Sequence, residues 1–217
     1  MNKKELQKKI ESFGNEWYYY YNFDGIEVRK RFQDSKTEGI NNWEDKLKPI
    51  IAEIASKFDN PCLFDIGCNM ALYAHEMTKM GIATLAGDKN IEIAKFFARY
   101  ISENTDEEWK TYLLEYDIIN AEMVYPDVDI VTMFCMIYHL HPYEEQSFAK
   151  LSRLFPNHKY VIMQGNKPRV KRKKRPQPLA GVKGMTKLMK KYGYEVIGEY
   201  KWDGYQKPVV VGRRIGG

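Results

Sequence analysis

Cysteine and histidine are scarce in this chain, with three of one and four of the other among 217 residues. The three thiols (Cys62, Cys68, Cys135) make no disulfide framework. All lie in apolar, strand-like settings, which reads as buried free thiols in a reducing compartment. Four scattered histidines and no paired cysteine spacing leave little room for a structural zinc site, so no metal is expected. Long apolar runs are missing too. No stretch approaches the roughly 20 consecutive apolar residues of a membrane span, and no membrane partner is expected. The N-terminus (Met1-Asn-Lys-Lys-Glu-Leu-Gln-Lys-Lys-Ile) is basic, but no apolar signal region follows it. That disfavours secretion and makes the cytoplasm the expected location. Internal repeats are absent, and a hydrophobic content of 44% argues against disorder. The length fits one domain with an extension.

Charge of one sign is not abundant overall, since the formal net charge is only +5, but it is unevenly spread. Residues 167–175 read Lys-Pro-Arg-Val-Lys-Arg-Lys-Lys-Arg, so seven of nine are cationic, and Pro-Gln-Pro follows. The prolines oppose helix, which makes this a basic loop.

What the chain does have is concentrated at residues 63–77, Leu-Phe-Asp-Ile-Gly-Cys-Asn-Met-Ala-Leu-Tyr-Ala-His-Glu-Met. An apolar run ends in Asp65 and Gly67, passes Asn69 and Ala71, and becomes a helical pattern. A parallel strand turns sharply into a helix in this way, with the helix N-terminal amides facing a ligand. The next apolar stretch, 82–87, ends at Asp88, an acid placed about 20 residues after the turn, as in dinucleotide folds. A carboxylate there can accept two ribose hydroxyls; it can also cap the helix that follows.

Strands and helices then alternate. Strands are predicted at 62–66, 82–87, 111–115, 129–136, 159–164, 194–200 and 207–212. Helices are predicted at 3–12, 43–58, 70–80, 90–103, 143–154 and 181–192, and residues 24–42 read as irregular. Such alternation implies a mainly parallel sheet with helices on both faces. The last two strands are joined around Trp202-Asp203-Gly204 with no room for a crossover helix, so they are expected to form an antiparallel hairpin.

On Asp65-x-Gly67, Asp88 and this strand order, residues 45–212 resemble the class I S-adenosylmethionine-dependent methyltransferases. The implied fold is α/β, a Rossmann-like seven-stranded, mainly parallel sheet with a C-terminal antiparallel hairpin. The family pattern after the first strand is Gly-x-Gly-x-Gly; here Asn69 and Ala71 stand at the second and third glycines. Asn visits left-handed backbone readily, whereas the Ala71 methyl departs from the pattern. The implied cofactor is S-adenosylmethionine, held by Asp65, Gly67, Asn69, Ala71, Asp88 and Asp117. Asp65 would orient the turn and the methionine amine end, Asp88 the ribose, and Asp117 the adenine amino group; a solvated turn is the other reading of Asp117.

Phe134-Cys135-Met136-Ile137-Tyr138-His139-Leu140-His141-Pro142 resembles the Leu-Tyr-His-Leu-x-x-Pro segment of enzymes similar to the tRNA wobble-uridine carboxymethyl transferases. The Trp17–Asp24 region is similar to that group's Trp-Tyr entry. Tyr138 and His139 are the implied catalytic residues, with a buried structural role as the other reading of His139. His75 reads as structural or surface. Cys68 and Cys135 lack a visible activating partner and are poor nucleophiles.

The basic loop Lys167–Arg175 follows the fifth strand, at the carboxyl edge where such sheets bind ligands. It points to an anionic acceptor, either RNA or a phosphorylated or glycosylated small molecule; a flexible or localisation-like basic string is the alternative. Tyrosines 18–21 would supply base stacking if they fold over that edge. Residues 1–44 form a helical and aromatic extension, a candidate lid, ahead of the domain at 45–217. The competing class is a non-catalytic Rossmann-like module that binds RNA, favoured by the Asn69 and Ala71 departures. A nicotinamide dehydrogenase is disfavoured because Gly-x-Gly-x-x-Gly is absent.

Overall fold

Asn2 opens the first helix, α1 (Lys3–Ser12), by accepting the Glu5 amide while the Glu5 carboxylate accepts the Asn2 amide. The computed structural model describes residues 2–14, 17, 21–28, 43–140, 142–165, 181–201 and 207–216, the side chains of Val28 and Tyr138 excepted. Residues 24–28, expected to be irregular, belong instead to a hairpin, and the rest of 24–42 lies outside the described residues. A short hairpin, β1 (Tyr21–Phe23) and β2 (Ile26–Val28), turns at Asp24-Gly25. Both turn residues have left-handed backbone, with φ of 48° and 82°. This is what a two-residue turn joining twisted strands needs, and Asp-Gly is its sequence signal.

The predicted helix at 43–58 is realised as one π-helical turn, Trp43–Leu47, running into α2 (Lys48–Ala55). The rest alternates: β3 (Cys62–Ile66), α3 (Leu72–Lys79), β4 (Ala83–Asp88), α4 (Glu92–Asn104), β5 (Tyr112–Glu115), β6 (Ile130–Phe134), α5 (Glu144–Leu154), β7 (Tyr160–Gln164), α6 (Val182–Lys191), β8 (Tyr194–Tyr200) and β9 (Val209–Arg214). The seven strands β3–β9 make one sheet in the order β5-β4-β3-β6-β7-β9-β8. Its pairs are parallel except those of β9, which runs antiparallel between β7 and β8.

Strand residues alternate between two buried faces, as period-two geometry requires. Leu63, Ile130, Phe134, Ile162 and Val211 face α2 and α3 on one side. Phe64, Ile66, Val131, Met163 and Val210 face α5 and α6 on the other. The alternation explains why the central strands read as continuous apolar runs.

The described N-terminal residues pack on the outer side of α4. Leu6, Ile10, Trp17 and Phe23 meet Ile93, Phe96, Phe97 and Tyr100, and Met70 of the turn after β3 joins them. Tyr21 belongs to this aromatic cluster, edge-on to Phe97 at 4.9 Å and close to Phe23 at 4.7 Å. Tyr18–Tyr20, Lys167–Arg175 and Trp202-Asp203-Gly204 lie outside the described residues. Among the described residues, no helix is long and apolar enough to cross a membrane.

Candidate active site

The turn after β3 holds three left-handed residues in alternation, Gly67, Asn69 and Ala71, with φ of 76°, 52° and 56°. The amides of Gly67 and Cys68 donate to the Gly87 carbonyl at 2.7 and 3.1 Å, seating the turn on the end of β4. One residue on, the Asn69 amide donates to Asp88 Oδ2 at 2.9 Å, and the Asn90 amide donates to Oδ1 at 3.0 Å. Asp88 therefore ties the two loops together. It does not cap α4, whose boundary residue is Ile91 with no side-chain cap. Gly67 is favoured by its φ, and an added Cβ would also stand 2.6 Å from Met136 Sδ, so that flexible side chain would have to shift.

Asp65 sits one strand-width from Thr132 in the parallel register and accepts its hydroxyl at 2.7 Å. It is 2% exposed. Burial pushes its carboxyl up to about 7; the Thr132 hydrogen bond opposes that rise and the neighbouring Asp88 charge adds to it.

The carboxyl ends of β3, β4, β5 and β6 open on a cavity of about 410 Å³. This is where open α/β sheets bind ligands, beside the strand at which the order reverses. Of the predicted cofactor residues, Gly67, Asn69, Asp88 and Asp117 line it, and His139 lines it from the opposite side. His139 is exposed, so the buried structural reading does not hold. Tyr138 shares its 3₁₀ turn, Ile137–His139. Asp65 and Ala71 do not line the cavity. The Ala71 methyl is fully buried in the core on the α2 and α3 side, so the departure that weakened the sequence pattern is turned away from the ligand space.

Asp117 is partly engaged by its own turn: Oδ1 accepts the Ile119 amide at 3.0 Å and Oδ2 accepts Asn120 Nδ2 at 2.8 Å. Met136 and Leu140 of the Phe134–Pro142 segment also line the cavity, as do Lys89, Asn90, Tyr116 and Ile119, which carried no motif. Their one legible signal was position, just past a strand end.

Cys135 follows β6 with left-handed backbone at φ 55°, and its thiol donates to Gln164 Oε1 at 3.1 Å. Burial raises the Cys62 thiol to about 11 and pushes Cys68 well above its ordinary value, as unreactive thiols require. His75 is buried, stacked on Trp109 with ring centres 4.5 Å apart, and bonded to Glu107 at 2.9 Å, a structural role. Among the described residues, no group of three or more His, Cys, Asp or Glu is placed to hold a metal ion.

No protein-family model and no curated protein sequence matches the chain. Its fold does match solved structures. Magnesium protoporphyrin IX methyltransferase from Synechocystis PCC 6803, solved with bound SAM, aligns with a TM-score of 0.64 at 13% identity, covering 96% of this chain and 97% of that one. A SAM-dependent methyltransferase from Aquifex aeolicus aligns with a TM-score of 0.60 at 14% identity over 81% and 93% of the two chains. One from Methanosarcina mazei aligns with a TM-score of 0.60 at 14% identity over 77% and 97%. The chain thus has the Rossmann-like methyltransferase fold expected from its strand order.

Proposed function

We propose that this chain is an S-adenosylmethionine-dependent methyltransferase whose donor occupies the cavity between Gly67, Asp88 and His139. The observation that carries the reading is the Asn69–Asp88 hydrogen bond, which brings the strand-end turn and the second-strand carboxylate to one opening. The residues fit such a donor. Gly67, Asn69 and Asp88 line one end of the cavity together. Each Asp88 oxygen keeps a second lone pair for a ribose hydroxyl after accepting one amide. Asp65, buried behind the turn, is the acid toward which an ammonium group would be drawn.

When bound, the donor's sulfonium supplies the methyl group for an in-line displacement that disperses charge. The protein's work is to align the acceptor and exclude water. Asp88 and the 67–71 turn fix the donor, and Asp117 takes its base end. Tyr138 and His139 follow β6 in the chain, and His139 lines the cavity on the side where we place the acceptor. A neutral imidazole at His139 can remove a proton near neutral pH, which a hydroxyl or uridine-derived oxygen acceptor needs and a carboxylate does not.

The acceptor we propose is anionic, RNA or a phosphorylated or glycosylated small molecule. What supports this is the density of cations at Lys167–Arg175, in the segment that leaves the carboxyl end of β7. The Tyr138-His139-Leu140 segment supports the finer likeness to the tRNA wobble-uridine carboxymethyl transferase group.

Calorimetric titration with S-adenosylhomocysteine tests the donor. Micromolar binding that is lost in Asp88→Ala supports the enzyme, whereas no binding to the wild type leaves the non-catalytic module standing. RNA binding that weakens with salt, and disappears when Lys171, Arg172, Lys173, Lys174 and Arg175 are neutralised, supports an RNA acceptor. Salt-insensitive or absent RNA binding moves the acceptor to small molecules.

A further inference from the structure

The end of the cavity walled by Asp117 and Ile119 is held in place from behind by α5. The Ile119 carbonyl accepts a hydrogen bond from Lys150 Nζ, and the Ala121 carbonyl accepts Arg153 Nη2 at 3.2 Å. Lys150 and Arg153 are three residues apart, so they rise from the same side of the helix. Farther along, the Tyr125 amide donates to the Leu154 carbonyl at 2.7 Å. Inside the turn, Asp117 accepts the Ile119 amide and the Asn120 side chain. The wall is therefore tied to itself by Asp117 and to the body of the protein by α5.

The opposite wall depends on the same helix. Leu140 and His139 line the cavity, and α5 begins at Glu144, a few residues later. Phe148, Leu151 and Leu154 lock α5 into the core. One helix thus borders both sides of the opening, and its Lys150 ammonium is bonded to the lining residue Ile119.

We propose that Lys150 is a positioning residue: by holding the Ile119 carbonyl it sets the width of the cavity at the donor's base end and hence the affinity for the base. The proposal rests on the donor reading above. A charged donor to a carbonyl is roughly twice as strong as a neutral one. Lys150 is half-buried, and its ammonium reaches the loop at Ile119. Without it the Ile119 carbonyl turns toward water, and the wall moves with it.

The test compares wild type, Lys150→Met and Lys150→Arg with two ligands, S-adenosylhomocysteine and S-ribosylhomocysteine, which lacks the base. The expected result for Lys150→Met is an affinity for S-adenosylhomocysteine about tenfold weaker, the loss of one charge-assisted bond. Its affinity for S-ribosylhomocysteine stays unchanged, and Lys150→Arg restores base binding. Hydrogen exchange of the free protein gives a second, ligand-independent readout: amides 119–121 exchange faster in Lys150→Met and, should that variant not fold, in Lys150→Gln. Equal loss for both ligands, unchanged binding of S-adenosylhomocysteine, or unchanged exchange at 119–121 overturns the proposal. A wild type that binds no S-adenosylhomocysteine overturns the donor reading and this proposal together; a wild type that binds it as well as Lys150→Met does overturns this proposal alone.

Discussion

The Asn69 amide and the Asp88 carboxylate, 19 residues apart, meet at 2.9 Å and close the turn after β3 onto the end of β4. That bond makes Asp88 both a structural clamp and a wall of the cavity, so its substitution has separable effects.

Asp88→Ala is expected to weaken S-adenosylhomocysteine binding about 100-fold, the loss of two hydrogen bonds to a charged acceptor. Asp88→Asn keeps one acceptor oxygen and is expected to fall between the two. Calorimetric titration measures both, and a melting curve reports what the lost Asn69 and Asn90 contacts cost the fold.

Asp65 predicts a pH dependence with a definite sign. Its carboxyl is raised from 3.8 to about 7, so the folded protein holds a proton that the unfolded chain releases. The stability this confers is fully present below about pH 4 and is lost as pH rises through 7. Asp65→Asn, which keeps an oxygen for the Thr132 hydroxyl, is expected to melt higher than wild type at pH 8, the difference vanishing at low pH. Affinity for S-adenosylhomocysteine is expected to rise from about pH 6 to about pH 8 as the proton is released to make the carboxylate. The control is 5′-methylthioadenosine, which lacks the ammonium and should show no such rise.

His158 predicts acid sensitivity of the opposite sign. It is fully buried between β7 and α5, donating from Nδ1 to the Phe155 carbonyl and accepting the Tyr194 hydroxyl at Nε2. Burial lowers it from 6.5 to about 4, so the native state keeps it neutral. The stability it contributes is present above pH 6.5 and is lost as pH falls toward 4. His158→Gln, which keeps a donor and an acceptor, is expected to flatten the stability curve in that interval, as followed by urea unfolding.

Backbone strain in the turn gives a prediction about residues 67 and 71. Ala71 carries left-handed backbone at φ 56°, which an L-residue with a Cβ adopts at a cost of about 1–2 kcal/mol. Ala71→Gly relieves that strain, but it frees the unfolded chain and removes a methyl buried in the core, so its net effect on melting is expected to lie within about 0.5 kcal/mol of zero. Gly67→Ala does the reverse and adds a contact with Met136, so it is expected to lower both stability and ligand affinity. Met136→Ala in the same chain should recover part of the loss, because it removes the sulfur but not the strain.

The β-α alternation was legible because the central strands are buried on both faces and so appear as short apolar runs between periodic helices. Asp65-x-Gly67 and Asp88 were legible for a different reason: each ends such a run, and a polar residue there faces the carboxyl edge. The hairpin at Tyr21–Val28 was not read, although Asp24-Gly25 signals it, because its strands of three residues are too short to show alternation. Tyr21 looked available for stacking on a substrate, and its burial against Phe97 is visible only when α4 is in place.

The amino-acid sequence by itself determined the element order from Trp43 onward, the sharp turn after β3 and the acid at the end of β4, since local pattern and backbone preference suffice for these. Only the tertiary structure decided that the turn and the acid share one cavity, that the Ala71 methyl faces the core, and that His139 is exposed at that same cavity. It also decided that burial raises the Asp65 carboxyl well above the usual carboxylate range. Each of these depends on which strands become neighbours and on how much water is excluded between them, and neither property is carried by any one segment of the chain.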